Sequence, residues 1–305
     1  MRKAAVLGPG AVGGALAVHL ADAGVHVVCV PRRDMVSVLA LSGLALEVAG
    51  GEPLLARPEV RDELVQPVDF LFVTVKAHQL ESALEQVDPG AVEDAVVLPL
   101  LNGLEHVDVL RAALGPRVVV CSLGQFEAYR VGRVQIIQTT PSGVIALASD
   151  EVPGERLEDV ATMLGAAGFE GQLERSEKQV LWSKAARAAV LSAATALTHS
   201  SVGQLLSDPA WRSRIDAALV EACGIAEADG AAIDPSTQWA IIDAMDYDLT
   251  TSTARDVAEG RPSELDAISG SVVRAGARLG VSCPVLSVLY TEAAVHAADI
   301  VGLRR

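Results

Sequence analysis

The segment Gly8-Pro9-Gly10-Ala11-Val12-Gly13 constrains this chain more than any other. It has the form Gly-x-Gly-x-x-Gly, and Gly14 follows. Glycine clusters also make ordinary turns, so the surroundings decide. An apolar run, Ala4-Ala5-Val6-Leu7, precedes it. Ala11 to Ala23 has a helical pattern with Gly24 as its stop signal. His26 to Val30 is a β-branched run, hence a second strand. Strand, glycine turn, helix and strand within about 30 residues form a dinucleotide-binding βαβ unit. The first glycine permits the tight turn, and the second lets the backbone approach a pyrophosphate. The third allows the helix to pack closely on a strand. The helix N-terminus offers free N–H groups and a positive dipole end to the phosphates. Gly8, Pro9, Gly10, Ala11, Val12 and Gly13 are therefore the expected cofactor cradle.

The end of the second strand selects the dinucleotide. An NAD site carries Asp or Glu there to hold the ribose 2′-hydroxyl. This chain has Val30-Pro31-Arg32-Arg33, with Asp34 only afterwards. A guanidinium pairs with a 2′-phosphate in a bidentate manner and stacks on adenine. The expectation is NADP(H), with Arg32 as the main contact and Arg33 as a second candidate.

The rest of the first half repeats the alternation. Strands are expected at Val68–Val75, Ala95–Leu100 and Arg117–Cys121, and helices at His78–Val87 and Leu104–Leu114. Near-continuous apolar strands between helices predict a parallel sheet covered on both faces. From Phe126 to Ala148 strands follow one another directly, with Arg130-Val131-Gly132-Arg133 as a hairpin turn. This reads as an antiparallel extension at the sheet edge, closed by a helix from Glu155 to Gly165. Beyond about residue 176 the pattern is helical. Asp208-Pro209 and Asp234-Pro235 are cap-plus-proline helix starts. Pro262-Ser263-Glu264 opens a helix to about Leu279, and Cys283-Pro284 introduces the last one. The fold class is α/β: a Rossmann-type N-terminal domain (1–175) plus an all-α C-terminal domain (176–305).

Composition removes other classes. A net charge of −15 and 3% aromatic residues argue against nucleic acid as a partner. The four cysteines are far apart and form no thiolate zinc spacing. No apolar run reaches the ~18 residues of a membrane span, and no signal peptide is evident. A cytoplasmic protein without membrane or metal is the expectation.

Only four basic residues are lysines: Lys3, Lys76, Lys178 and Lys184. Lys3 and Lys178 stand in solvated settings. Lys76 directly follows an apolar strand, on the carboxyl edge where ligands bind in open α/β sheets. Asn102 follows the next strand. Lys184, in Trp182-Ser183-Lys184, lies in the first long helix of the second half. Taken singly, each is an ordinary surface lysine or turn asparagine.

Together, in order, they resemble the ketopantoate reductase family. The resemblance spans nearly the whole chain. It runs through the glycine turn, the arginine ending the second strand, VKAHQ at 75–79 and LNG at 101–103. It continues through WSK at 182–184, TALT at 195–198 and SELDAISG at 263–270, with Ser252 twelve residues before Glu264. It implies that Lys184 is the general acid protonating a ketone oxygen while NADPH gives hydride to the same carbonyl. It implies that Lys76 and Asn102 position cofactor and substrate, at a site between two domains. Glu264 would orient Lys184 or the nascent hydroxyl, and Ser252 would help hold the substrate carboxylate. The implied reaction is reduction of a 2-oxo acid, with 2-dehydropantoate to pantoate, a step of pantothenate biosynthesis, as the best match. Family relatives include homodimers formed through the helical domain.

The chain departs from the family in one place. Positions 188 and 192 share a helix face with Lys184, and the family has Asn at both. Here they are Ala188 and Ser192. Arg187 stands one turn from Lys184. It is either a surface residue whose stem snorkels outward, or a substitute carboxylate anchor whose charge depresses the Lys184 pKa. Three readings follow: the 2-oxo acid reductase, a hydroxy-acid or opine-type dehydrogenase with another ketone, and a non-catalytic NADPH sensor. Ser192 remains a candidate substrate contact in the first.

Overall fold

The computed structural model describes residues 2–303, so Met1, Arg304 and Arg305 at the ends of the expected domains lie outside the described residues. The chain divides into two compact units. One comprises residues up to Leu101 together with His106–Val180; the other comprises Asn102–Glu105 and Leu181 onward. The division falls a few residues beyond the expected 175/176, and it moves four loop residues into the helical unit.

The first unit is built on a five-stranded, wholly parallel sheet. Its strands are β1 (Lys3–Leu7), β2 (His26–Val30), β5 (Glu59–Val60), β6 (Phe70–Val73) and β7 (Val96–Pro99), in the order β5-β2-β1-β6-β7. Helix α1 (Ala11–Asp22) buries nearly every residue from Gly13 to Leu20. A helix apolar all round needs cover on both sides. The main sheet gives one side. A second sheet gives the other, formed by β3 (Leu44–Val48), β4 (Leu54–Ala56), β9 (Ala128–Val131) and β10 (Gln135–Gln138), in the order β4-β3-β10-β9. Helix α2 (Val36–Ser42) leads into β3. Leu16, Leu20, Leu46 and Ile136 are essentially solvent-free in the resulting core.

The expected edge extension is only partly present. β8 (Val120–Gly124) and β11 (Gly143–Ala148) pair antiparallel, with β12 (Phe169–Leu173) parallel to β11. A bridge from Val118 to Val97 joins this group to the edge at β7. The β9–β10 hairpin does not stay with it. It leaves to pair with β3, because Ile136 finds its apolar partner against Gly14 of α1. The helix expected over His78–Val87 shortens to a 3₁₀ turn and α3 (Leu80–Leu84). Helices α4 (His106–Leu114) and α5 (Gly154–Ala166) stand close to where the pattern places them.

The second unit is helical. It contains α6 (Glu177–Thr198), whose first turn belongs to the other unit, then α7 (Val202–Ser207), α8 (Pro209–Ala228) and α9 (Pro235–Asp243). α10 (Ser252–Ala258), α11 (Ser271–Leu279) and α12 (Pro284–Leu303) complete it. Asp208 and Asp234 cap α8 and α9 by accepting from Ala210 and Thr237 N–H. On α6, Ala186, Ala189, Ala193 and Ala194 are fully buried, and their small side chains let neighbouring segments come close. Trp182 is fully buried and its indole N–H donates to the Asp229 carboxylate at 2.8 Å. The helix expected from Pro262 begins only at Leu265 and opens with a π-helical turn over Asp266–Gly270 before α11. One expectation needs correction: Pro284–Gly302 in α12 is long and apolar enough to cross a bilayer by length and composition. In the structure Leu286, Leu289 and Ala293 of this helix enter the helical core, and Glu292 pairs with Arg214 at 2.6 Å.

Candidate active site

In the first unit the glycine turn joins β1 to α1 as the sequence implies. Gly8 has φ +81°, and a Cβ there would overlap Val75. Its N–H donates to Val30 O at 3.0 Å, tying the turn to the end of β2. A Cβ at Gly13 would overlap Thr74, whose hydroxyl donates to Leu7 O and Gly8 O at 3.0 and 2.9 Å. The third glycine therefore serves close packing against the end of β6. Among the described residues, a Cβ on Gly10 would meet only Gly8 O, at 3.8 Å, so its open side is uncrowded. α1 has no side-chain cap, leaving its first N–H groups for an anion. Pro9, Ala11 and Val12 complete this turn. The cradle fits a dinucleotide pyrophosphate. Lys76 is half-buried just past β6, beside Val75.

Arg32 and Arg33 lie beyond the end of β2 and are 70% and 78% exposed. Arg32 pairs with Asp34 at 3.5 Å and Arg33 with Glu63 at 3.2 Å. The hairpin turn brings two further arginines here. Arg133 donates to Asp34 O at 3.3 Å and lies 3.8 Å from its carboxylate. Arg130 donates to Arg133 O. Burial and the charges of Arg32 and Arg133 lower the Arg130 pKa. Sequence reasoning marked 130–133 as a turn and missed this convergence. No local signal links the turn to the end of β2.

The second unit assembles the expected proton donor. The Lys184 ammonium donates to the Asn102 side-chain oxygen at 3.1 Å. Its pKa is lowered to about 8, first by burial and then by the positive charge of Arg187, with the Glu264 carboxylate pulling the other way. Lys184, Asn102, Glu264 and Arg187 are thus one electrostatic group. Arg187 is half-buried and does not snorkel out. It donates to Ser183 O and to the Gln238 side chain, the latter at 2.9 Å. Gln238 is only 4% exposed, and no motif around it marked it as part of the group.

Three contacts hold this group in place. Ser269 donates to Ala189 O at 2.6 Å, fixing the π turn after Glu264 to α6. Gly103 has φ +92°, and its missing side chain leaves room for the Ala267 carbonyl. Arg274 clamps the Asn102 loop to the π turn. It donates to both Glu105 oxygens at 2.8 Å and to Asp266 at 2.9 Å, and Tyr290 donates to the same carboxylate at 2.6 Å. This clamp was also missed. Arg274 and Asp266 are eight residues apart, outside the i,i+3 and i,i+4 spacings that mark an ion pair on a helix face.

The remaining candidates stand apart. Ser192 is 4% exposed within α6, two turns on from Lys184. Ser252 is exposed at the first residue of α10, after the capping Thr251. Among the described contacts neither side chain bonds to Lys184, Asn102 or Glu264.

Comparison with known proteins covers the same ground. A family model described as ketopantoate reductase PanE/ApbA matches residues 4–150, and its C-terminal counterpart matches residues 178–297. The chain is 29% identical to the 2-dehydropantoate 2-reductase of Vibrio cholerae, over 94% of this chain and 95% of that one. A crystal structure of a PanE/ApbA family ketopantoate reductase from Ralstonia eutropha is similar at 25% identity. Its TM-score is 0.88, and the match covers 98% and 99% of the two chains. A structure of D-mandelate dehydrogenase with NADH and anilino(oxo)acetate shares the fold at 20% identity, with TM-score 0.87 and coverage of 98% and 99%.

Proposed function

The chain belongs to the ketopantoate reductase family, and from that premise we propose that it uses NADPH to reduce a 2-oxo acid to the 2-hydroxy acid. It is an oxidoreductase acting on CH–OH groups. The finer reading takes 2-dehydropantoate as the first candidate substrate. One observation carries it: a lysine ammonium with its pKa lowered to about 8, aimed by Asn102 and flanked by Glu264 and Arg187.

When bound, the reduced nicotinamide supplies the hydride. Negative charge then builds on the carbonyl oxygen, and a proton donor there lowers the barrier. Lys184 gives that proton. The Asn102 carbonyl oxygen accepts one ammonium hydrogen and fixes the direction of the others. Glu264 holds the charged form against the burial that opposes it. Arg187 supplies the cation for the substrate carboxylate, with Ser192 and Ser252 as secondary contacts. The cradle from Gly8 to Gly13 holds the pyrophosphate, Lys76 steadies the nicotinamide end, and Arg32 and Arg33 receive the 2′-phosphate.

Ala188 and Ser192 favour a second reading on the same chemistry. Where the family has amides, this chain has a methyl group and a hydroxyl. Losing hydrogen-bonding groups relaxes selection for a polar substrate. A less polar 2-oxo acid, such as the one corresponding to mandelate, is therefore the alternative. Cytoplasmic location and a homodimer through the helical unit belong to the same proposal. Val288 and Val295 of α12, one heptad apart, are 51% and 57% exposed, which supports such an interface.

The test is NADPH and NADH oxidation, followed by absorbance, against a panel of 2-oxo acids. A kcat/KM for 2-dehydropantoate at least tenfold above the panel is expected. Preference for the mandelate-type acid would select the second reading, and inactivity with every acid would reject both.

A further inference from the structure

We propose that Arg130 and Arg133, at the turn of the β9–β10 hairpin, complete with Arg32 a phosphomonoester site that selects the 2′-phosphate of the dinucleotide. The inference rests on the dinucleotide reading of the glycine cradle. It adds residues from a distant part of the chain.

The geometry starts from Asp34. Its carboxylate lies 3.5 Å from Arg32 and 3.8 Å from Arg133, and its carbonyl accepts from Arg133 at 3.3 Å. Arg130 reaches the Arg133 carbonyl. Two guanidinium groups thus lie within 4 Å of one carboxylate. A third, Arg130, is held on the same turn, where it feels the charges of Arg32, Arg133 and Asp34, in a chain of net charge −15. Arg32, Arg133 and Asp34 are each more than half exposed, so solvent and ligands reach them. The hairpin is not free to wander. Gln135 to Gln138 pair in register with Ala45 to Val48, and Ile136 is sealed against Gly14. The same α1 that carries the cradle therefore positions the turn.

The chemistry identifies the ligand. One carboxylate leaves this cluster with surplus positive charge, and the arginines repel one another. A dianion with three acceptor oxygens matches two or three planar guanidinium forks, and a neutral hydroxyl does not. The strand end carrying Arg32 is tied to the cradle through the Gly8–Val30 hydrogen bond. A phosphate on the ribose of a nucleotide in that cradle is thus the source that fits. Inorganic phosphate offers the same oxygens without the nucleotide.

Binding separates these cases without turnover. NADPH, NADH, 2′,5′-ADP, 5′-AMP and inorganic phosphate are titrated by calorimetry into the intact protein, Arg130→Gln/Arg133→Gln, Arg133→Lys and Arg32→Ala. The double variant is expected to lose about tenfold or more in affinity for NADPH and 2′,5′-ADP. It should keep its affinity for NADH and 5′-AMP. Arg133→Lys should fall between, since charge remains and the fork is lost. An unchanged NADPH affinity in the double variant, with Arg32→Ala alone abolishing the preference, removes the hairpin and leaves the dinucleotide reading standing. Equal losses for NADPH and NADH also overturn the proposal, as does inorganic phosphate binding as tightly as 2′,5′-ADP. Failure of the intact protein to bind either dinucleotide overturns the cradle reading itself.

Discussion

Lowering the Lys184 pKa from 10.5 to about 8 places its ammonium form at a disadvantage of roughly 3 kcal/mol in the folded chain. Below about pH 8 that penalty is present in full. Between pH 8 and 10.5 unfolding takes up a proton, so this contribution to stability improves as pH rises. Lys184→Met should therefore raise Tm at pH 7, with the gap closing toward pH 10.5; thermal melts across that range check it. A lower Tm at pH 7 would contradict it. The same variant should lose kcat by several orders of magnitude while NADPH binding stays within about threefold, as expected of a group acting on the substrate oxygen. In the parent, reduction should be flat with pH below about 8 and fall above it, because the proton must be on Lys184. Arg187→Gln removes the neighbouring positive charge, so the break should move to higher pH in the kcat/KM profile. Lys184, Asn102 and Glu264 were legible in the sequence, because each is a polar residue in an ordered set of motifs. Gln238 was not, since a glutamine in a helix looks the same whether it faces water or a buried arginine.

A single π turn decides how the helical unit presents Glu264. It follows that residue, is stitched to α6 through Ser269, and gives its Ala267 carbonyl to the space over Gly103. Gly103→Ala meets both the positive φ and that carbonyl, and should cost more than 1 kcal/mol, with kcat falling as Asn102 shifts. The Arg274 clamp makes a different demand. Arg274 is 43% exposed, so its ion pairs contribute at most about 1 kcal/mol. Arg274→Met should leave Tm nearly unchanged yet lower kcat about tenfold or more, since a loop misplaced by an ångström costs that much. Glu105 and Asp266 are both held below their ordinary pKa by Arg274. The clamp is thus intact at neutral pH and weakens only as pH falls below the ordinary carboxylate range. No composition marks a π turn, so the sequence shows only a helix over this stretch. The second sheet was hidden for a related reason. β3 and β4 are short, separated by Gly50-Gly51, and β3 finds its partner β10 far along the chain. α1 carried the one available clue: a helix with no polar face needs cover on both sides.

Across the whole molecule the sequence conveyed two units and their types, because parallel strands and long helices each impose their own period on the chain. It misplaced the seam, since Asn102–Glu105 follow a strand in order yet belong with the helices. The homodimer proposal has its own test at this scale. Val288→Glu/Val295→Glu should shift the sedimentation coefficient from dimer to monomer while Tm changes little, as both side chains are exposed. A wild-type protein that sediments as a monomer at micromolar concentration would refute the interface. Finally, Trp182, together with Trp211 and Trp239, accounts for all the tryptophan in the chain, and all three lie in the helical unit. Tryptophan emission, excited at wavelengths where Tyr129 of the first unit does not absorb, is therefore a one-sided reporter. During denaturation it follows the helices alone, while far-ultraviolet circular dichroism sums both units. Superimposed curves would mean a single cooperative melt; an emission curve displaced from the dichroism would give each unit its own unfolding free energy in one experiment.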